Sequence, residues 1–228
     1  MPEINSIPYE NAEDLKTFLY DNFYSTEHIE LTTIATGFLY NLFGEMRLTT
    51  GTTASSTCMT NYDIASFNPL YSEAVWKGYV DSMDNCFAFF GFKESLAAPT
   101  FDMTESHAGF MIYDDGNGGK IYASVADGTE QQRVELIGID AARVENYKVA
   151  YNAFSIEPLP AVETSLGLPG VLTTFPYLKR EWVEMTRLSN YPPKNEVHYI
   201  VQYIENGKNN LNKILTLNRF IYSEVYAD

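Results

Sequence analysis

The chain has 228 residues, of which 45% are hydrophobic, and its formal net charge is −15. This hydrophobic content is enough to bury a core, so the composition excludes a wholly disordered chain. Residues 1–129 carry a net charge of −13 and residues 130–228 only −2; because nucleic acids and anionic lipids bind through Lys and Arg, we expect neither as a partner.

Two helices are predicted in residues 1–100. Asn11 is a suitable helix cap, and the apolar residues that follow have three-and-four spacing, which predicts a helix over 11–23. Asn68 and Pro69 favour the start of a second helix. Its apolar face would consist of Ala74, Val75, Tyr79, Val80 and Met83. The apolar run from 86 to 92 predicts a buried strand, so residues 1–100 are interpreted as a mixed helix and strand region.

The stretch between these helices is harder to interpret. Residues 24–60 show no clear period, and 49–57 consist of Thr, Gly, Ala and Ser, which is typical of a polar loop. We expect 24–60 to become ordered only on contact with a partner.

Residues 101–228 alternate between candidate strands and turn signals. Strands are predicted at 108–113, 120–126, 131–139, 147–156, 182–188, 197–205 and 214–225, with a connection at 159–176. The first three should form a meander. About seven strands of this kind favour an antiparallel β-sandwich. The predicted fold class is therefore α+β, mainly β, with a region at 1–100 and a sandwich domain at 101–228.

The sequence predicts a cytoplasmic protein without a signal peptide. Residues 1–5 contain no basic segment, and no window approaches the ~18 apolar residues that a membrane-spanning helix needs. Cys58 and Cys86 have no nearby His, so we expect two reduced thiols and neither a zinc site nor a disulfide. No cofactor or metal is predicted.

Signals for catalysis are weak. The three histidines are His28, His107 and His198, and no Ser stands in a Gly-X-Ser-X-Gly elbow, so we predict that the protein is not an enzyme. The acidic, glycine-rich stretch 114–119 resembles a calcium loop in composition, but the EF-hand spacing from Asp115 places Lys120 and Ala126 at the glycine and glutamate positions. A hairpin loop is the favoured interpretation.

One cluster is a candidate for ligand or partner contact. Lys179 and Arg180 lie between Tyr177 and Trp182, so cations adjoin rings that could stack on a sugar or bind a carboxylate. The alternative is a solvated loop edge.

Two segments, 120–133 (KIYASVADGTEQQR) and 153–160 (AFSIEPLP), resemble the β-rich structural proteins of bacteriophage particles, in particular tail and fibre-associated ones. The resemblance implies a virion component that assembles by symmetry and catalyses no reaction. Its partners would be other copies of itself and neighbouring structural proteins.

Three functional hypotheses follow. The first is a structural protein that residues 1–100 attach to its neighbours. The second is a carbohydrate- or receptor-binding sandwich that uses rings such as Tyr177, Trp182 and Tyr191, with a glycan as partner. The third is a hydrolase that uses carboxylates.

Overall fold

The structure is a computed structural model, and it describes residues 16–21, 23, 29–42, 44–64, 71–114, 116, 118–126, 128–136, 141–142, 145–152, 161–166, 181–184, 198–208 and 211–225. The described residues form fifteen strands, numbered along the chain, and contain no helix. All strand pairs are antiparallel, and the strands make two sheets.

Sheet A contains eight strands. Its order is β13-β12-β11-β6-β15-β4-β3, and β1 lies beside the far end of β15. The strands are β1 (Lys16–Asp21), β3 (Phe38–Leu42), β4 (Glu45–Thr49), β6 (Tyr71–Val80), β11 (Glu145–Asn152), β12 (Ala161–Leu166), β13 (Glu181–Glu184) and β15 (Ile214–Val225).

Sheet B contains seven strands in the order β10-β9-β8-β7-β14-β5-β2. They are β2 (Glu30–Ile34), β5 (Thr57–Ile64), β7 (Cys86–Lys93), β8 (His107–Tyr113), β9 (Lys120–Ala126), β10 (Gln131–Glu135) and β14 (His198–Asn206). The predicted meander of three strands is confirmed, because β8, β9 and β10 are neighbours.

The main core lies between the two sheets. Trp76 of sheet A is fully buried, and its ring centroid lies 6.0 Å from that of Phe90 and 6.2 Å from that of Phe92, both in sheet B. The rings of Tyr62 and Phe220 stack across the same interface, with a centroid distance of 5.1 Å. These contacts hold the sheets face to face as a β-sandwich.

Both helix predictions are wrong. Residues 16–21 form β1, and 71–80 form β6; Asn11 and Asn68 lie outside the described residues. In β6, Ala74, Trp76 and Val80 are buried, whereas Lys77 and Tyr79 are partly exposed. This alternation has a period of two, and short apolar runs satisfy the helical and the strand template equally until a neighbouring strand selects one.

The sandwich is also not confined to the second half of the chain. Strands β1 to β7 lie before residue 100, and both sheets combine strands from the two sides of that position. Residues 30–49, where no regular element was predicted, contain β2, β3 and β4, and β12 lies within the predicted connection 159–176. The role of residues 1–100 in attachment stays a prediction.

Two glycines lie opposite each other in the middle of sheet B. Gly91 of β7 pairs with Gly109 of β8, and a Cβ on Gly91 would lie 2.3 Å from the carbonyl oxygen of Ala108. We therefore expect Gly91→Ala to lower the free energy of unfolding by about 2 kcal/mol, as overpacking does. Denaturant unfolding measures this, and an unchanged midpoint would show that the strands separate without cost.

Candidate functional site

The outer face of sheet B, which points away from sheet A, is apolar and aromatic. Strand alternation places every second side chain of β7, β8 and β14 there. The side chains on this face form a hydrophobic cluster separate from the main core. Its buried members are Met59, Phe87, Phe89, Met103, Met111, Val201 and Tyr203. The partly buried side chains that pack against them are Phe101, Tyr113, Tyr122 and Tyr199. A sheet face exposed to water would be polar, so this face must be covered.

The cover is the segment 94–106, which we call the strap. It leaves β7 at Lys93 and enters β8 at His107, and these two residues are cross-strand partners. The strap is closed at its base by a hydrogen bond from the Glu94 amide to the Ser106 carbonyl, 3.0 Å long. Lys93 is fully buried and donates to the Ser95 carbonyl, the Ser95 hydroxyl and the Glu105 carboxylate.

Phe101 fixes the middle of the strap on the sheet. Its ring stacks on Tyr113 with a centroid distance of 4.1 Å, and the Arg133 guanidinium lies 3.8 Å from the ring centroid. The Phe101 carbonyl accepts hydrogen bonds from Gln131 Nε2 at 3.0 Å and from Arg133 at 2.8 Å. Both the ring and the carbonyl are therefore held, and the strap has a defined position.

A cleft of about 440 Å³ lies beside Phe101, at the end of the strands. One wall is the strap, and the floor is the end of β7, β8 and β14 with their turns. The residues that line it are Asn85, Cys86, Phe87, Pro99, Thr100, Phe101, Tyr113, Asp114, Glu205 and Gly207. This volume lies within the range of small-molecule sites. A lining of aromatic rings with a few polar groups is also typical of such sites.

The two carboxylates of the cleft differ in their hydrogen bonds. Asp114 accepts from the amide of Asn85 at 2.6 Å, and from the amides of Gly116 at 2.7 Å and Gly118 at 3.1 Å, so both of its oxygens are engaged. These amides, the Asn85 amide first, hold the pKa of Asp114 below its usual value. Glu205 accepts from the Tyr203 hydroxyl at 3.0 Å through Oε2, which leaves Oε1 as an acceptor for a ligand.

Asp114 has the hydrogen bonds that the hairpin-loop interpretation leads one to expect. Its carboxylate ties the start of the loop to backbone amides on both sides, which is the role of an Asp in a hairpin loop. The described residues contain no group of three or more side chains that could hold a metal ion. Asp115 and Asn117 lie outside the described residues.

His107 is a structural residue of the strap base. It is fully buried, Nδ1 donates to the Glu105 carbonyl at 2.7 Å, and Nε2 therefore accepts from the Ser124 hydroxyl at 2.8 Å. Both ring nitrogens are therefore engaged at the base of the strap. Burial lowers the pKa of His107 to about 4.

Both cysteines are free, as predicted, and the structure shows that both are buried. Cys86 lines the cleft, but burial raises the pKa of its thiol to about 12, as it does for Cys58. A thiol with this pKa is not a nucleophile near neutral pH.

Of the residues predicted for ligand contact, the structure describes only Trp182. Tyr177, Lys179 and Arg180 are outside the described residues, and so is Tyr191. Trp182 is placed in β13, where it pairs with Ser165, and β13 belongs to sheet A, whereas the cleft is built on sheet B. Ligand contact by these residues stays a prediction.

Sequence reasoning missed the cleft, although one signal was present. Three of its polar residues, Asn85, Asp114 and Glu205, lie next to turns that flank long aromatic strands. The turn at 84–85, the end of β14 at 205–207 and the residues after 113 meet at one end of sheet B only because of the strand order, which the sequence does not reveal.

Comparison with known proteins shows the fold. No family model matches the chain, and no curated protein matches it in sequence. The CBM2 module of the evolved Dit of Lactobacillus casei BL23 phage J-1 is similar with a TM-score of 0.64 and 11% identity over 94% of this chain and 98% of that one.

Two further solved structures are similar. The Lotus tetragonolobus seed lectin has a TM-score of 0.62 and 9% identity, covering 93% of this chain and all of that one. The carbohydrate recognition domain of Emp47p has a TM-score of 0.57 and 9% identity, covering 95% of this chain and 99% of that one. At these identities the likeness shows a common β-sandwich fold.

The described residues contain no helix with the length and apolar content to cross a membrane.

Proposed function

We propose that this protein is a carbohydrate-binding module and that its glycan binds in the cleft beside Phe101. The observation that carries the proposal is the combination, in one cleft, of aromatic walls with the carboxylate of Glu205. Rings such as Phe87 and Tyr113 offer apolar surface to the C–H faces of a sugar, and a carboxylate oxygen accepts strongly from hydroxyl groups. The fold is also that of proteins named as lectins or carbohydrate-binding modules.

The charge of the cleft restricts the class of glycan. Its lining residues, among those that the structure describes, include two carboxylates and no Lys or Arg. A uronic acid or a sulfated sugar would place a further negative charge beside them, whereas a neutral or amino sugar would not. We therefore expect neutral or amine-bearing glycans as ligands.

A matched pair of variants tests the proposal. Glu205→Gln keeps the size of the side chain and removes its charge, so we expect at least tenfold weaker binding to whichever glycan is found in an array screen, because hydrogen bonds to charged groups contribute about 1.5–3 kcal/mol. Glu94→Gln, an exposed carboxylate outside the cleft, is the control. Titration calorimetry measures both. Equal affinities for both variants and the unchanged protein would place the site elsewhere.

Hydrolysis is less favoured by the same geometry. A carboxyl group that acts as general acid needs a raised pKa, but the pKa of Asp114 is lowered and both of its oxygens are engaged. The cleft therefore suits binding better than cleavage.

A second candidate is a role in a phage particle, which combines with glycan binding. It is favoured by the likeness to the phage J-1 Dit module over almost the full length of both chains. In that role the protein would attach a particle to surface glycans of a host cell. Mass spectrometry of purified particles tests this, and absence of the chain from particles that carry its gene would contradict it.

A further inference from the structure

Exposed apolar side chains are concentrated on one flank of the sandwich. Among the described residues, five large apolar side chains are strongly exposed: Leu31 (47%), Ile34 (54%), Phe38 (49%), Leu42 (38%) and Leu96 (38%). Four of the five lie on β2 and β3. Single exposed apolar residues need no explanation, but four of them on two consecutive strands indicate an interaction site.

These two strands are edge strands, one in each sheet. β2 is the last strand of sheet B and β3 the last strand of sheet A, and only residues 35–37 separate them. Each therefore has a backbone edge that no described strand pairs. Proteins usually protect such an edge with Lys, Pro or a bulge, because it can pair with another chain. β3 has no charged residue and no Pro, and its register with β4 is regular.

The sequence of β3 is complementary to itself. Phe38, Tyr40 and Leu42 share the outer face of sheet A, and the rings of Phe38 and Tyr40 stack at 5.8 Å. Antiparallel pairing of two copies around Tyr40 would place Phe38 of each copy opposite Leu42 of the other. Apolar side chains then meet on one face at both ends of the strand pair, as a two-fold interface requires.

The charges nearest to β3 are already compensated. Arg47 on β4 forms a 2.6 Å ion pair with Glu45 and donates to the Tyr40 hydroxyl at 3.3 Å. β2 is not complementary to itself in this way. Pairing two β2 strands about Thr32 would place the charged Glu30 opposite the apolar Ile34 of the other copy. Of the two edges, β3 is therefore the one suited to a second copy.

We infer that the protein forms a two-fold dimer in which the β3 strands of two copies pair and join their A sheets edge to edge. The interface is separate from the cleft, so a dimer would carry two glycan sites. Each copy has a net charge of −15, so the copies repel each other at long range and added salt should strengthen the dimer.

Light scattering after size exclusion tests the inference over a hundredfold range of concentration. We expect a species of twice 25.8 kDa whose fraction rises with concentration and with salt. The double variant Phe38→Lys and Leu42→Lys should dissociate at least tenfold more readily, because it places like charges on the paired edge. Leu96→Lys, at an exposed leucine outside the flank, is the matched control and should not change the mass.

Three outcomes would overturn it: a monomer at every concentration, a dimer that the double variant leaves intact, or a dimer that Leu31→Lys and Ile34→Lys on β2 disrupt instead. Because all of these substitutions are at exposed positions, circular dichroism should show unchanged folding. Hydrogen exchange that slows at residues 38–42 when concentration rises would identify the paired edge directly.

Discussion

Replacing Phe101 with alanine should weaken glycan binding at least tenfold and lower the free energy of unfolding by about 2 to 3 kcal/mol. The ring is held between Tyr113 and the Arg133 guanidinium. It also makes an edge-to-face contact with Tyr122, with a distance of 5.3 Å between the ring centroids. Removing it takes away one wall of the cleft and the main apolar contact of the strap. Both effects arise from one side chain because the strap covers the sheet and shapes the cleft at once.

The control for this variant is Leu96→Ala, which shortens an apolar side chain of the same strap outside the cleft. Denaturant unfolding and calorimetry with the array-selected glycan give the two quantities. A Phe101→Ala protein that keeps full affinity would show that the strap does not form part of the glycan site. Unchanged stability would show that the strap is not anchored through this ring.

Acidification should destabilise the protein between about pH 6.5 and pH 4 through His107. The pKa of this residue is lowered from 6.5 to about 4 in the folded state by burial, with Lys93 and Arg133 adding to the effect and Glu105 opposing it. The unfolded chain therefore binds more protons in this window, so stability rises with pH across it and is lost as pH falls. The full loss, reached near pH 4, is about 3 kcal/mol.

Denaturant unfolding at several pH values, compared with His107→Asn, isolates this effect, because the variant lacks the titrating group. The slope of stability between pH 6.5 and pH 4 should be smaller in the variant. If the variant does not fold, the ring resonances of His107 in the unchanged protein give its pKa directly. A value near 6.5 would contradict the prediction and the buried, neutral ring on which it is based.

The outcomes of the strand predictions have a common physical cause. The strands at 120–126 and 214–225 have the predicted bounds, and the strand at 86–93 was predicted almost fully, because β-branched and aromatic residues in long runs between turn residues favour strands. β1 and β6 were interpreted as helices because capping residues and apolar spacing are local signals. Their partners, mainly β15, lie about 140 to 200 residues away in the chain.

The candidate site was the least predictable feature. Asp114 was noticed, but as part of a loop, and Phe87, Phe101 and Glu205 were not singled out at all. They come together because β14 inserts between β5 and β7, which brings Glu205 next to Phe87. No local pattern contains that pairing.

The sequence by itself determined the local properties of this protein: its acidity, its two thiols and most of the strand content of its second half. Each depends on residue type and on neighbours a few positions away. Only the tertiary structure decided that the first half is strand as well, that a strap covers sheet B and that a cleft lies beside Phe101. These features depend on antiparallel pairing between distant segments, where hydrogen bonding and burial against a partner outweigh local preference.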